Sequence, residues 1–300
     1  MLEASLILSR FIHYIATLTL FGVSIFPLYT YTKLRAGPHL LSVMVLLTAL
    51  ALISALFWFF CVTFSMAGTF DRGAVWSVFS ETGFGKVWVG RIVLVIFIFV
   101  LICLRLKSPS ENMTWLMAPL CAGLLVSLAG VGHTQSDGGT GHIIHGSADA
   151  LHLLAAGAWL GGLVSLFSLV AQDVRTSVPN SDAAASHAAM RFSGMGYIAV
   201  ATLIGSGLIN SWFLVGSLEN LGTPYGKLLI VKLLLFAGML GLAGVNRFLI
   251  VPKLIIANDA GSASELIRLR RHIVGEQALG FLVILIVSVL GMMQPAINPS

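Results

Sequence analysis

Long, nearly unbroken apolar runs fill this chain from end to end, and they constrain it more than any other feature. Each is long enough to cross about 30 Å of hydrocarbon at about 1.5 Å per helical residue. Eight such runs are expected to be helices, over about 5–31, 39–67, 86–106, 113–132, 146–171, 192–216, 225–250 and 273–294. A porin-type barrel would instead show short alternating strands. The 300 residues are 57% hydrophobic and 10% charged, with a mean hydropathy of +0.96, and this excludes a soluble enzyme and a disordered regulator. The fold class expected is all-α, a polytopic membrane helix bundle of about eight transmembrane helices forming a single domain over 1–300.

The net charge of +5 is explained by sidedness rather than by nucleic acid. With the N-terminus outside, eleven of the seventeen Lys and Arg residues fall on inner connections, from Lys33 and Arg35 to Arg268, Arg270 and Arg271. An N-out, C-out topology follows. The first run contains Arg10 and His13 and lacks a basic leader and a small-residue cleavage site, so it is expected to be retained as a helix. Its Val/Ile/Leu/Phe composition turns the third run toward lipid. The fifth to seventh are rich in small residues and are expected to pack closely at the centre. Cys61, Cys103 and Cys121 lie inside apolar runs and do not form a disulfide framework. No GxxxxGK[ST] run is present, so ATP is not expected as a partner. The absence of HExxH argues against an intramembrane protease.

In so apolar a chain the few ionisable groups carry the chemistry, because burying them in lipid is costly. The stretch from Gly130 to His152 reads GVGHTQSDGGTGHIIHGSADALH, with four histidines and two aspartates between 133 and 152. Its polar first half is expected as an outer loop. Its end is expected as a helix start, with Ser147 as N-cap and Asp149 in the first turn. His145, Asp149 and His152 then fall at i, i+4 and i+7, on one helix face. Imidazole with carboxylate suits a divalent transition metal, or Asp149 orients a ligating imidazole. His133 and His142 precede this group. His13 lies about 12 Å into the first helix and His152 about 9 Å into the fifth, at similar depth. Met66, Met292 and Met293 end the second and eighth runs on the outer side and are candidate thioether ligands for Cu(I). Ser206, Asn210, Lys232, Asn246 and Arg247 are further polar residues within the sixth and seventh runs.

These residues also carry a likeness. Arg191-Phe192-Ser193, Ser206-Gly207, Asn210, Trp212, Gly216-Ser217, Thr223-x-Tyr225-Gly226, Lys232, Asn246-Arg247 and Pro252 resemble the bacterial copper resistance protein D (CopD) family. So do the Asp149–Leu163 stretch and the opening RFIHYIATLTLFG with His13. The resemblance spans essentially the whole chain, with 145–294 the most family-like core. It implies a multi-pass protein of the bacterial inner membrane that moves copper from periplasm to cytoplasm. It also implies a separate periplasmic CopC-like copper-binding partner. The implied ligands are His13, His133, His142, His145, His152 and the outer methionines, to which the spacing argument adds Asp149; the ion expected is Cu(I) or Cu(II), and no enzymatic activity is expected. The competing reading is a membrane redox protein in which His13 and His152 are axial ligands of haem b.

Overall fold

The computed structural model describes residues 1–30, 38–108, 111–131, 139–176, 182–256 and 259–297, which are helical apart from short turns and contain no strand. Ten α-helices follow in chain order: α1 (Leu2–Thr30), α2 (Pro38–Ala67), α3 (Arg72–Glu81), α4 (Gly83–Lys107), α5 (Glu111–Val126), α6 (Gly139–Thr176), α7 (Asp182–Leu214), α8 (Pro224–Val245), α9 (Val251–Ile256) and α10 (Asp259–Leu290). A π-helical turn, Asn246–Ile250, joins α8 to α9 as one rod. Seven of these helical segments are long and apolar enough to cross a membrane, and Trp115–Val131 is a shorter apolar one. Together, among the described residues, they are consistent with the eight crossings that the apolar runs predict.

The chain ends support that even number. The Arg10 guanidinium, near the start of α1, donates to the Gly291 carbonyl just after α10. Both termini therefore lie at one end of the bundle, as an even number of crossings requires. Arg105, Lys107, Arg247, Lys253 and Arg268 lie toward the other end, and the basic-residue bias makes the end with the termini the outer one.

α1 is the hub, packed against α6, α2, α5 and α10. α4 shows how a nearly pure apolar run sorts its faces. Trp88, Arg91, Val95, Ile98 and Ile102 recur at helical spacing and are buried, while Val93, Ile96, Phe97 and Val100 are exposed to the lipid side. The first face also buries an arginine.

The helix boundaries depart from the sequence reading in three places. α6 begins at Gly139, so Ser147 sits inside the helix and is not its cap. Of the inner segment 251–272, the described residues form α9 and the first turns of α10, where Glu265 pairs with Lys253 and Arg268 at 3.9 and 4.0 Å. The π turn precedes Pro252, which has no N–H to continue an α-helical ladder.

The third departure is α3, too short and polar for a hydropathy reading to find. It exists because Asp71 caps it, accepting from the Ala74 amide at 2.8 Å. That hydrogen bond holds the Asp71 carboxyl below its ordinary value. A depressed carboxylate contributes stability that is full above its unfolded pKa and is lost as pH falls through the folded one. Protection of the amides in the first turn of α3, measured against their intrinsic exchange rate at each pH, is thus expected to fall under acid. Asp71→Ala should exchange fast at neutral pH as well. Equal exchange in the two proteins at neutral pH would show that the cap contributes nothing.

Candidate metal-handling cavity

The face predicted from the 145/149/152 spacing is real. His145, Asp149 and His152 of α6 all line one cavity of 390 Å³ in the outer half of the bundle. α1 contributes Arg10 and Tyr14, α7 contributes Asn210, and α8 contributes Tyr225 and Lys232. The charged lining is two cations, Arg10 and Lys232, and one carboxylate, Asp149.

Each α6 side chain is held differently. The His145 ring is buried and stacks on Phe213, with centroids 4.8 Å apart and planes at 6°. Asp149 accepts from Asn210 Nδ2 through Oδ1 at 3.4 Å, and Asn210 Oδ1 is buried without a partner. His152 Nδ1 lies 2.9 Å from Ser206 Oγ, and the Ser206 hydroxyl donates to the Thr202 carbonyl. With its proton spent there, the Ser206 oxygen accepts from Nδ1–H. The neutral His152 ring then keeps its lone pair on Nε2, the tautomer a metal ligand needs.

His13 is placed elsewhere. It is fully buried between α1, α2 and α4, in contact with Trp58 and Trp88, and it does not line the cavity. Its Nδ1 is 3.1 Å from the Ala51 carbonyl and 3.0 Å from Ser54 Oγ, and its Nε2 meets Arg91. A carbonyl only accepts and a guanidinium only donates. The ring is therefore the Nδ1–H tautomer, with its Nε2 lone pair taken by Arg91. Haem through His13 and His152 does not fit this arrangement, because one of the two imidazoles has no free nitrogen and faces a different part of the bundle.

The remaining sequence candidates spread outward. His142 is exposed, one turn before His145 on α6. His133 lies outside the described residues. Met66 and Met292 are exposed at the outer end, and Met293 packs against the small apolar cluster around Val215, Tyr225, Leu229 and Leu290. None of the three lines the cavity. Among the described residues, no three His, Cys, Asp or Glu side chains lie close enough together to hold a metal ion.

Two intramembrane charges of consequence escape a reading based on the histidines. Arg91 is 1% exposed and ties α4 to α1 and α5, donating to the Leu124 carbonyl at 2.7 Å, to Ser127 and to His13. Glu276 is 2% exposed in the inner half, accepting from Asn246 Nδ2 at 2.6 Å and from Trp159 Nε1 at 3.1 Å. Both stand alone inside long apolar runs, and that isolation is the signal that could have marked them.

Comparison with known proteins places the chain. Residues 1–143 match the family model for the copper resistance protein D-like N-terminal domain, and residues 186–290 match that for copper resistance protein D. Copper resistance protein D of Pseudomonas syringae pv. tomato is 31% identical over 300 residues, covering 95% of each chain. Inner membrane protein YebZ of Escherichia coli (strain K12) is 32% identical over 221 residues, 74% of this chain and 72% of that one. Copper transport protein CutJ of Bacillus subtilis (strain 168) is 31% identical over 194 residues, 61% of this chain and 34% of the relative. No solved structure matches. With both family segments matched in order and a relative aligned along nearly its whole length, this multi-pass membrane protein belongs to the copper resistance protein D family.

Proposed function

We propose that the protein carries copper across the bacterial inner membrane, from the periplasm toward the cytoplasm, as a carrier rather than a catalyst. The observation that supports this most is the outer cavity, where one face of α6 presents two imidazoles and a carboxylate to a partly polar space inside an apolar bundle. The relatives named for copper resistance and copper transport point the same way.

Copper is the cargo in this reading. The exposed His142 receives it from a separate periplasmic CopC-like protein. Below that, His152 offers Nε2, Asp149 offers a carboxylate oxygen, and His145 completes the donor set. Nitrogen and oxygen donors suit Cu(II), while the exposed Met66 and Met292 suit capture of Cu(I) at the outer surface. The α6 side chains must draw together to hold an ion, and a loosely assembled site of this kind releases its cargo more readily than a closed one.

The test is copper content in cells expressing single variants at matched protein levels. His152→Ala and Asp149→Asn are each expected to lower accumulated copper at least about tenfold, with a smaller loss for His142→Ala. Normal accumulation in both cavity variants would sink the proposal.

A further inference from the structure

The outer cavity adjoins two further ones, each partly open to the outside of the bundle. A second cavity of 230 Å³ shares His152 and Lys232 with it and runs inward past Phe236 and Gly280 to Trp159. A third, of 210 Å³, begins at Trp159 and reaches Asn246 and Glu276. The three follow one another between α6, α7, α8 and α10. Position along α10 confirms the order, from Leu290 and Val287 in the first through Gly280 in the second to Glu276 and Ile273 in the third. Trp159 stands between the last two, and its indole N–H holds Glu276.

The inner end has three features that a packing role does not require. Glu276 is a carboxylate buried at membrane depth with no ion-pair partner among the described residues. Asn246, 7% exposed, donates to it while its own Oδ1 is buried and unpartnered. Asn246 also opens the π turn, a distortion that recurs at functional sites. The Glu276–Asn246 pair supplies only hard oxygen acceptors, in a cavity walled mainly by Leu, Phe, Val and Ile. That chemistry is poor for Cu(I) and too sparse in oxygens for a dehydrated alkali ion. It suits a proton, which needs one carboxylate oxygen and one hydrogen-bond acceptor. When Glu276 is charged, Asn246 Nδ2 and Trp159 Nε1 both donate to it. When it is neutral, its O–H needs an acceptor, and rotation of the Asn246 amide presents Oδ1. Both protonation states are thus hydrogen-bonded without moving the backbone.

We infer that Glu276 with Asn246 is a proton-binding site at the inner end of the cavity series, through which proton movement is coupled to that of the cargo. This rests on the copper-carrier reading for the identity of the cargo. The other titratable groups lining this cavity are Arg247, from the π turn, and Tyr197, from α7, with the guanidinium 5.7 Å from the tyrosine ring. α6, α8 and α9 present no titratable group to it, and α1 lends no residue to its lining.

The experiment uses the full chain in proteoliposomes with choline as the bulk cation, an imposed pH gradient, a lumenal pH dye and copper uptake measured by elemental analysis. The wild type is expected to move protons with copper. Glu276→Gln should bind copper as the wild type does, yet take it up at least about tenfold more slowly and without pH dependence. Glu276→Asp should restore part of the flux with a displaced pH profile. Unchanged uptake and pH profile in Glu276→Gln, or flux that needs sodium, overturns the proposal. Infrared spectroscopy reads the carboxyl without copper. A carboxyl C=O band that titrates in the wild type and is missing from Glu276→Gln supports the proton site even if the wild type carries no copper, a result that would fell only the cargo assignment. Absence of such a band across the physiological pH range overturns the proton site itself.

Discussion

Gly22→Leu is expected to prevent α1 and α6 from docking and to lower the yield of folded protein severely. A Cβ on Gly22 would stand 2.2 Å from the Gly157 carbonyl oxygen and 2.5 Å from Gly161 Cα. The Gly161 position is equally closed, at 2.7 Å from Gly22 Cα and 2.8 Å from the Leu18 carbonyl oxygen. These are backbone atoms, so no side chain can swing aside. Gly157 and Gly161 are one turn apart on α6, the small-xxx-small spacing that lets membrane helices approach closely. Lipid tails are as apolar as any side chain, so separated helices lose their packing with no hydrophobic gain to offset it. Overpacking usually costs about 1–3 kcal/mol, and a clash with backbone belongs above that range. In detergent, Gly22→Leu should lower the thermal midpoint by about 10 °C or more if it folds at all. Gly194→Leu is the control, since nothing lies within 4 Å of its added Cβ, and it should unfold with the wild type. The effect reaches function, because α1 and α6 bring Arg10 and Tyr14 into the same cavity as Asp149 and His152. Wild-type stability in Gly22→Leu would mean that the two helices do not cross so closely.

The sequence made the crossings legible because apolar length is a one-dimensional property, and the α6 ligand face because helical period follows from spacing alone. Gly157, Gly161 and Gly162 marked α6 as a packing helix, but which glycine of α1 they meet depends on how two helices cross. His13 shows the limit most clearly. Its depth matched that of His152, yet depth says nothing of azimuth. The ring points toward Ala51, Ser54 and Arg91, away from the α6 cavity. The outer methionines failed to join the cavity for a related reason. Lying beyond or at the helix ends, they are placed by local turns that the apolar pattern does not fix. α3 escaped because it depends on a single cap rather than on a long apolar face.

The position of His13 leads to the sharpest expectation, a double substitution more stable than one of its parts. In the wild type, Arg91 is buried at membrane depth with no carboxylate beside it among the described residues. It is made tolerable by His13 Nε2, the Leu124 carbonyl, Ser127 and the face of Trp88, 5.2 Å from the guanidinium. Even so, Arg91 Nε remains without a partner. His13→Leu removes one of the acceptors and leaves a charge further under-solvated. Leaving a buried charge uncompensated typically costs about 3–5 kcal/mol. Arg91→Met leaves a neutral imidazole nitrogen unpaired, a cost of about 1–3 kcal/mol, while Ser127 still donates to the Leu124 carbonyl and the wild-type desolvation of the guanidinium is relieved at the same time. Removing both partners leaves an apolar contact among Trp58, Trp88 and the new side chains. The double variant is therefore expected to unfold above His13→Leu in a thermal scan, with a coupling of about 2 kcal/mol. Copper accumulation separates this structural role from a place on the copper path. A structural His13 predicts that His13→Leu with Arg91→Met regains both folding and copper accumulation. If the double variant folds yet accumulates no copper, His13 or Arg91 acts on the cargo directly, and the assignment of His13 to the scaffold is wrong.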